Sequence, residues 1–121
     1  MFLMDSNISA TTFDMTLHPG PFQAIASGRK TVEMRLNDER RQKLRVGDFI
    51  RFENKDTHET ILCEVLELVH FPSFKELYEA YNPIEIGYLE GEEVHYEDMY
   101  LYYPRERIET YGVLAIRLRR A

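Results

Sequence analysis

A lysine, a glutamate and an arginine with complementary chemistry stand close together in the segment from residue 27 to residue 35. Lys30, Glu33 and Arg35 follow Gly28 in the order Gly-x-Lys-x-x-Glu-x-Arg. An ammonium beside a carboxylate and a guanidinium can hold a phosphate group or the edge of a base. A lysine withdrawn from water can also act as a nucleophile or base. The alternative is a solvent-facing Glu33–Arg35 ion pair that contributes under ~1 kcal/mol.

The elements around this motif place it between a helix and a strand. Apolar residues within 22–26 recur at helical spacing, and Gly28 is placed to end that helix in the left-handed conformation. Residues 31–36 alternate between apolar and polar types, which predicts a half-buried strand. Lys30 has the parity of the apolar positions, so its stem should pass the core or line a cavity.

The rest of the chain predicts an α+β fold, mostly β, with a mixed sheet of about five or six strands curled into a pseudo-barrel with flanking helices. Gly47 is expected to adopt a positive φ in a turn that leads into the strand at residues 49–53. Neighbouring strands from residue 31 to residue 69 are expected to pair antiparallel. The predicted strands cover residues 13–17, 31–36, 49–53, 60–69 (with a bulge) and 113–116, and the predicted helices cover 22–26, 74–81 and 92–103, with one more turn at 105–109.

Composition is typical of one globular domain. The 121 residues are 44% hydrophobic, carry a formal net charge of −6 and include a single cysteine, Cys63, which cannot form an internal disulfide. We expect a flexible lead-in over residues 1–12 and one domain over residues 13–121. No apolar run approaches the ~20 residues of a membrane-spanning helix, and the four histidines lack ligand spacing. A cytoplasmic protein with no membrane contact, metal or cofactor is predicted.

Three segments in this order resemble the ASCH domain family. They are the motif at residues 28–35, the Gly-Asp turn at residues 47–48 that leads into a strand, and Tyr-Gly-Val-Leu at residues 111–114. The resemblance covers residues 13–119. It implies a PUA-like fold, a pseudo-barrel with helices beside it, and a cleft lined by the motif residues. It also implies RNA binding, which is generally proposed for ASCH domains.

One branch of the family resembles an enzyme more than a binding module. It removes the acetyl group from the exocyclic amine of a modified cytidine, using the motif lysine, a threonine three residues later and a glutamate of the following helix. Lys30 matches the lysine, but Glu33 stands in the threonine's place. Glu76 and Glu79 are candidates for the helix carboxylate. If the protein is an enzyme, the resemblance implies Lys30, Glu33 and Glu79 as its catalytic groups.

The leading hypothesis is a protein that binds RNA or a nucleotide-sized ligand in this cleft. The predicted ligand contacts are Lys30, Glu33, Arg35, Arg29, Arg51 and Tyr103. Tyrosines at helical spacing are more often packing residues than a stacking platform. A local excess of cations between residues 29 and 51 indicates either a rim that faces a polyanion or a solvated loop.

Two alternatives remain open at this point, and the oligomeric state is also open. One is the amidohydrolase acting on an acetylated cytidine nucleoside, and the other is a protein-interaction module, suggested by the net charge of −6. A cleft that encloses one nucleoside would favour the enzyme, whereas an open basic groove that leads from the cleft would favour RNA.

Overall fold

Five strands and three α-helices build the part of the chain that the computed structural model describes, residues 9–121. The strands are β1 (Thr12–Leu17), β2 (Val32–Leu36), β3 (Phe49–Asn54), β4 (Thr60–Phe71) and β5 (Val113–Arg120). The helices are α1 (Pro19–Ala26), α2 (Phe74–Ala80) and α3 (Arg105–Tyr111), with 3-10 helices at Arg41–Lys43 and Tyr96–Leu101. No helix among these residues is long and apolar enough to cross a membrane. Most of the predicted lead-in, residues 1–8, lies outside the described residues.

All five strands form one curled sheet in the order β1-β3-β4-β5-β2, which confirms the predicted mixed half-barrel. β1 pairs with β3 in parallel, and the other neighbours are antiparallel. β3 and β4 pair as predicted, but the expected pairing of β2 with β3 is wrong. β2 lies at the far edge of the sheet and pairs with β5, because residues 37–48 carry the chain to a new position before β3 begins. β5 lies between β4 and β2, is buried over residues 113–116 and extends four residues beyond the predicted strand.

The strand order leaves β1 and β2 as the two free edges of the half-barrel, and we call the gap between them the seam. Two arginines bridge the seam in place of a backbone ladder. Arg35 Nη2 donates to the Thr16 carbonyl oxygen at 2.9 Å, and Arg40 Nη2 donates to the Asp14 carbonyl oxygen at 2.6 Å. Edge-strand carbonyls of β1 are thereby satisfied without a sixth strand.

Two apolar clusters hold the helices to the sheet. One joins α1 to β1, β3, β4 and β5, and the other joins α2, α3 and the second 3-10 helix to β2 and the start of β5. Val32, Met34 and Leu36 belong to the second cluster, as their alternation predicted. Glu33 on the opposite face of β2 is also buried, with 3% of its surface exposed. The strand is therefore buried on both faces, and its predicted half-burial is wrong.

The predicted helix over residues 92–103 is replaced by shorter elements. Residues 96–101 form a 3-10 helix, and α3 follows after Pro104. The three-residue spacing of Tyr96 and Met99 fits the three residues per turn of a 3-10 helix as well as it fits an α-helix. Only the buried Met99 anchors this short element fully in the core.

Local backbone predictions hold where a glycine or a bulge is required. Gly28 ends α1 with φ of +84°, and Gly47 lies in its turn with φ of +95°. β4 shifts its register against β5 between Val65 and Glu67, which is the predicted bulge. These features depend on short-range sequence patterns, which is why the sequence predicts them.

We expect Gly47→Ala to lower the free energy of unfolding by about 1 kcal/mol in urea denaturation. The added Cβ meets nothing within 4 Å, so backbone strain at φ of +95° is the only cost. Gly20→Ala is the control, since Gly20 lies in α1 without positive φ and its Cβ also meets open space. That variant should be as stable as the parent or more so. Equal stability of Gly47→Ala and the parent would contradict the strain argument.

Candidate functional site

A cleft of about 600 Å³ lies where α1, the start of β2 and the segment from residue 86 to residue 103 meet. This volume falls within the roughly 300–1,000 Å³ of typical small-molecule sites. Four cationic side chains and three carboxylates line the cleft: Arg29, Lys30, Arg35, Lys55, Glu33, Glu92 and Asp98. The cleft is therefore slightly cationic within a protein whose net charge is −6.

Three charged side chains form a continuous chain along one wall. Lys30 Nζ lies 2.8 Å from Glu33 Oε1, and Arg35 Nε lies 2.8 Å from Glu33 Oε2. Lys30 and Glu33 are only 8% and 3% exposed. The backbone brings them together because Lys30 ends the turn after α1, where its N–H donates to the Ala24 carbonyl oxygen at 2.9 Å, and Glu33 follows on β2. We call these three side chains the Lys-Glu-Arg triad.

The triad holds Glu33 as an ionised carboxylate. Burial alone would raise the pKa of Glu33, but the charges and hydrogen bonds of Lys30 and Arg35 outweigh it and lower this pKa from 4.5 to about 2. Burial opposes the charge of Arg35 as well, and Glu33 more than compensates, so the pKa of Arg35 is raised. With both partners as cations, the triad carries one net positive charge.

The loop that follows α2 closes over the stem of Lys30. Arg29 Nη1 donates to the carbonyl oxygens of Gly87 and Tyr88, at 3.1 and 3.2 Å. Gly87 has φ of +116°, and a Cβ built there would lie 3.2 Å from Lys30 Cδ. A glycine at this position therefore allows close approach to Lys30. Arg29, a predicted ligand contact, lines the cleft while its guanidinium fastens this loop.

Tyrosines and a carboxylate form another wall of the cleft. The Tyr88 hydroxyl donates to Asp98 Oδ2 at 2.8 Å and lies 2.9 Å from the Tyr78 hydroxyl. Burial and these hydrogen bonds raise the pKa of Tyr88, so its hydroxyl stays protonated and remains a donor. Tyr103 also lines the cleft, with its ring stacked on Phe74 at a centroid distance of 5.9 Å. Tyr78 is half-buried, packs against the second apolar cluster and also lines the cleft.

An exposed aromatic pair stands at the mouth of the cleft. Tyr102 keeps 59% of its surface exposed, and its ring centroid lies 6.3 Å from that of His18. Both residues line the cleft. His18 carries no sequence signal, since its closeness to Tyr102 depends on the tertiary fold. Tyr102 belongs to the tyrosine-rich run at 96–103, which was the signal available for this wall.

The structure brings five of the seven predicted site residues to the cleft: Lys30, Glu33, Arg35, Arg29 and Tyr103. Arg51 lies apart on β3, where it pairs with Asp14 at 3.1 Å. Glu79 is exposed on α2 and does not line the cleft, because Phe74 and Leu77 turn the other face of that helix to the core. Asp98 and Glu92 are the lining carboxylates outside the triad, and neither was predicted from the sequence as a site residue.

Neither metal chemistry nor a reactive thiol is indicated by the residues that the structure describes. Within residues 9–121, no three His, Cys, Asp or Glu side chains lie close enough to hold a metal ion. Cys63 is fully buried in the first apolar cluster, and burial raises the pKa of its thiol to about 11.

The fold is a curled, β-rich half-barrel with a cleft beside β1 and the start of β2, and comparison with known proteins gives its family. The model of the ASCH domain family matches residues 15–119, so the chain belongs to the ASCH domain family. This confirms the family and the PUA-like fold that the three sequence motifs predicted. ASCH domains resemble RNA-binding domains. A comparison with curated proteins found no match.

Solved structures share the fold over nearly the whole chain. The crystal structure of the hypothetical protein PH0355 has a TM-score of 0.78 and 29% identity, over 92% of this chain and 100% of that one. The solution structure of protein PF0455 from Pyrococcus furiosus has a TM-score of 0.70 and 26% identity, over 91% and 97% of the two chains. The ASCH protein from Zymomonas mobilis has a TM-score of 0.63 and 22% identity, over 90% and 67%, and shows the fold alone.

We expect the stability difference between the parent and Glu33→Gln to depend on pH. Because the pKa of Glu33 falls from 4.5 unfolded to about 2 folded, its ionised form stabilises the protein above pH 4.5, and this stabilisation is lost as pH falls toward 2. The difference in free energy of unfolding should therefore narrow by about 3 kcal/mol over this range. Urea denaturation at each pH measures it.

Glu79→Gln is the matched control, because it changes an exposed carboxylate on α2. Its stability should stay close to that of the parent at every pH. A Glu33→Gln difference that does not change between pH 7 and pH 2 would contradict the ionised triad.

Proposed function

We propose that this protein binds RNA or a nucleotide by receiving a single nucleobase in the cleft. The observation that carries the proposal is the buried Lys-Glu-Arg triad, which offers a hydrogen-bond donor and an acceptor side by side at the wall of a nucleoside-sized cleft. Membership of the ASCH domain family supports the same class of ligand.

The triad has hydrogen-bonding capacity left for a ligand. The ionised Glu33 carboxylate accepts one bond on each oxygen, from Lys30 and from Arg35, whereas a carboxylate offers roughly four lone-pair sites. The Lys30 ammonium has three donors and uses one of them on Glu33. Together they complement a base edge that presents an amino or imino donor beside a carbonyl or ring-nitrogen acceptor. All four bases of RNA present such an edge when they are unpaired.

The aromatic pair at the mouth supplies a stacking surface for the base. The ring of Tyr102 is exposed and free of the intramolecular stacking that engages Tyr103 on Phe74. Stacking of a base on an aromatic side chain contributes roughly 1–3 kcal/mol and tolerates any base. In this proposal the triad contacts the edge of the nucleobase, and the aromatic ring beside His18 stacks on its face.

The geometry favours binding over the amidohydrolase alternative. Glu33 occupies the place of the threonine that the hydrolytic branch uses, and both of its oxygens are engaged by cations. The helix carboxylate predicted from the family, Glu79, is exposed on α2. Four cations against three carboxylates in the cleft also favour a ligand with acceptor groups over the general protein-interaction role that the net charge suggested.

We expect Lys30→Met to fold and to lose most RNA binding. Met preserves the packing of the stem, and Arg35 still neutralises Glu33, whereas the donor to the base is removed. Hydrogen bonds to charged groups contribute about 1.5–3 kcal/mol, so the affinity should fall roughly tenfold or more. Fluorescence anisotropy with a fluorescein-labelled, random-sequence RNA octamer at low salt measures this change.

Lys75→Met is the matched control, since Lys75 is exposed on α2 and does not line the cleft. It should bind the octamer nearly as well as the parent does. Parent-like binding by Lys30→Met, or no binding by the parent even at low salt, would contradict the proposal. Deacetylation of an acetylated cytidine by the parent, but not by Lys30→Met, would establish the hydrolase instead.

A further inference from the structure

A second depression, of about 230 Å³, lies on the seam beside the cleft. Its charged lining consists of four arginines and two carboxylates: Arg35, Arg40, Arg41, Arg51, Asp14 and Glu53. An excess of guanidinium groups in a protein of net charge −6 is a local feature that the average composition conceals. We call this depression the arginine pocket.

The arginine pocket and the cleft share a boundary. Arg35 and Thr16 line both of them, and Arg35 Nη2 donates to the Thr16 carbonyl oxygen at 2.9 Å. Arg35 thus lies between Glu33 in the cleft and the arginines on the seam. A ligand that extends from the cleft across this boundary enters the arginine pocket.

Both carboxylates of the arginine pocket already have partners. Asp14 pairs with Arg51 at 3.1 Å, and Glu53 lies 2.6 Å from the Nδ1 atom of His58. Arg40, by contrast, forms no ion pair with any residue in the described range 9–121. Its Nη2 atom donates a hydrogen bond to the Asp14 carbonyl oxygen. Donor groups therefore remain available for an anion.

Arg41 adds a second sign of unused donor capacity. Its Nη1 atom pairs with Asp38 Oδ2 at 3.0 Å, but its Nε atom is buried and has no hydrogen-bond partner among the described residues. Buried donors without an acceptor are costly and uncommon in folded proteins. An oxyanion in the arginine pocket is a suitable acceptor for the guanidinium that carries this donor.

We propose that the arginine pocket binds a phosphate group covalently attached to the nucleoside whose base occupies the cleft, an inference that rests on the proposed function. Guanidinium forks match the geometry of phosphate oxygens. The volume suits one phosphate group rather than a second base. The triad suits a phosphate less well, because the ionised Glu33 repels an anion there. The base and the phosphate are thus divided between two sites that meet at Arg35.

Binding of the random-sequence RNA octamer over a range of salt concentrations tests this division with Arg40→Gln. Arg40 is exposed, so the variant should fold. Each phosphate that a protein neutralises contributes about −0.7 to the slope of log K against log salt for single strands. We expect Arg40→Gln to make the slope shallower by about 0.7 and to weaken low-salt binding about fivefold. Arg40→Lys, which keeps the charge but loses the fork, should retain most of the slope.

Lys75→Gln removes the same charge from exposed α2, outside both sites, and should leave the slope unchanged. An equal loss in Lys75→Gln and Arg40→Gln would overturn the inference, because the effect would then be one of general charge. If Lys30→Met loses binding but Arg40→Gln does not, the proposed function stands and the arginine pocket is overturned. If only Arg40→Gln loses binding, the proposed function fails, and the inference, which requires a base in the cleft, fails with it.

Two further probes distinguish the source of the phosphate. An octamer without terminal phosphates presents only phosphodiesters, whereas cytidine or guanosine 5′-monophosphate presents a single phosphomonoester. If the monophosphates compete with the octamer for the parent but not for Arg40→Gln, free nucleotides satisfy the arginine pocket. If only the octamer is sensitive to Arg40→Gln, the phosphate belongs to a strand. Insensitivity of both probes to Arg40→Gln overturns the inference.

Discussion

The Glu33 carboxylate is the group on which the cleft depends. A carboxylate that is 3% exposed is costly to bury unless charges and hydrogen bonds compensate it, and Lys30 and Arg35 each supply both. The dependence is mutual, because removal of Glu33 leaves two cations close together in a partly dry environment. Glu33 therefore determines where the ammonium and the guanidinium lie, and with them which ligand groups the wall can meet.

The arginines that satisfy the free edge of the half-barrel also belong to the candidate site. With β1 and β2 as free edges, the sheet needs a way to satisfy edge carbonyls without recruiting another chain. Arg35 and Arg40 donate to the Thr16 and Asp14 carbonyls, so cations accumulate along the seam. The same arginines that close the half-barrel line the arginine pocket, and Arg35 also completes the triad.

Local features of this fold could be predicted from sequence because they depend on neighbouring residues. The positive φ values at Gly28 and Gly47 and the bulge of β4 follow from turn chemistry and strand patterning. The triad could be predicted as a unit, because Lys30, Glu33 and Arg35 lie within six residues and match a family motif.

Features that depend on tertiary placement could not be predicted in the same way. Alternation on β2 indicated an exposed Glu33. Glu33 is buried instead, because other parts of the chain pack around this face of β2 beside the cleft. His18 and Tyr102 are separated by most of the chain, so no local pattern joins them. The 3-10 helix at residues 96–101 shares the spacing of an α-helix, and the choice between them depends on packing around Met99.

The most direct test of the central claim is the titration of the Glu33 side-chain carboxyl carbon by NMR, in the parent and in Lys30→Met. The triad predicts a pKa of about 2 in the parent, well below the ordinary 4.5, and a higher pKa when Lys30 no longer contributes its charge and hydrogen bond. A parent Glu33 that titrates near 4.5, or one whose titration is the same in Lys30→Met, would contradict a cleft organised by this carboxylate.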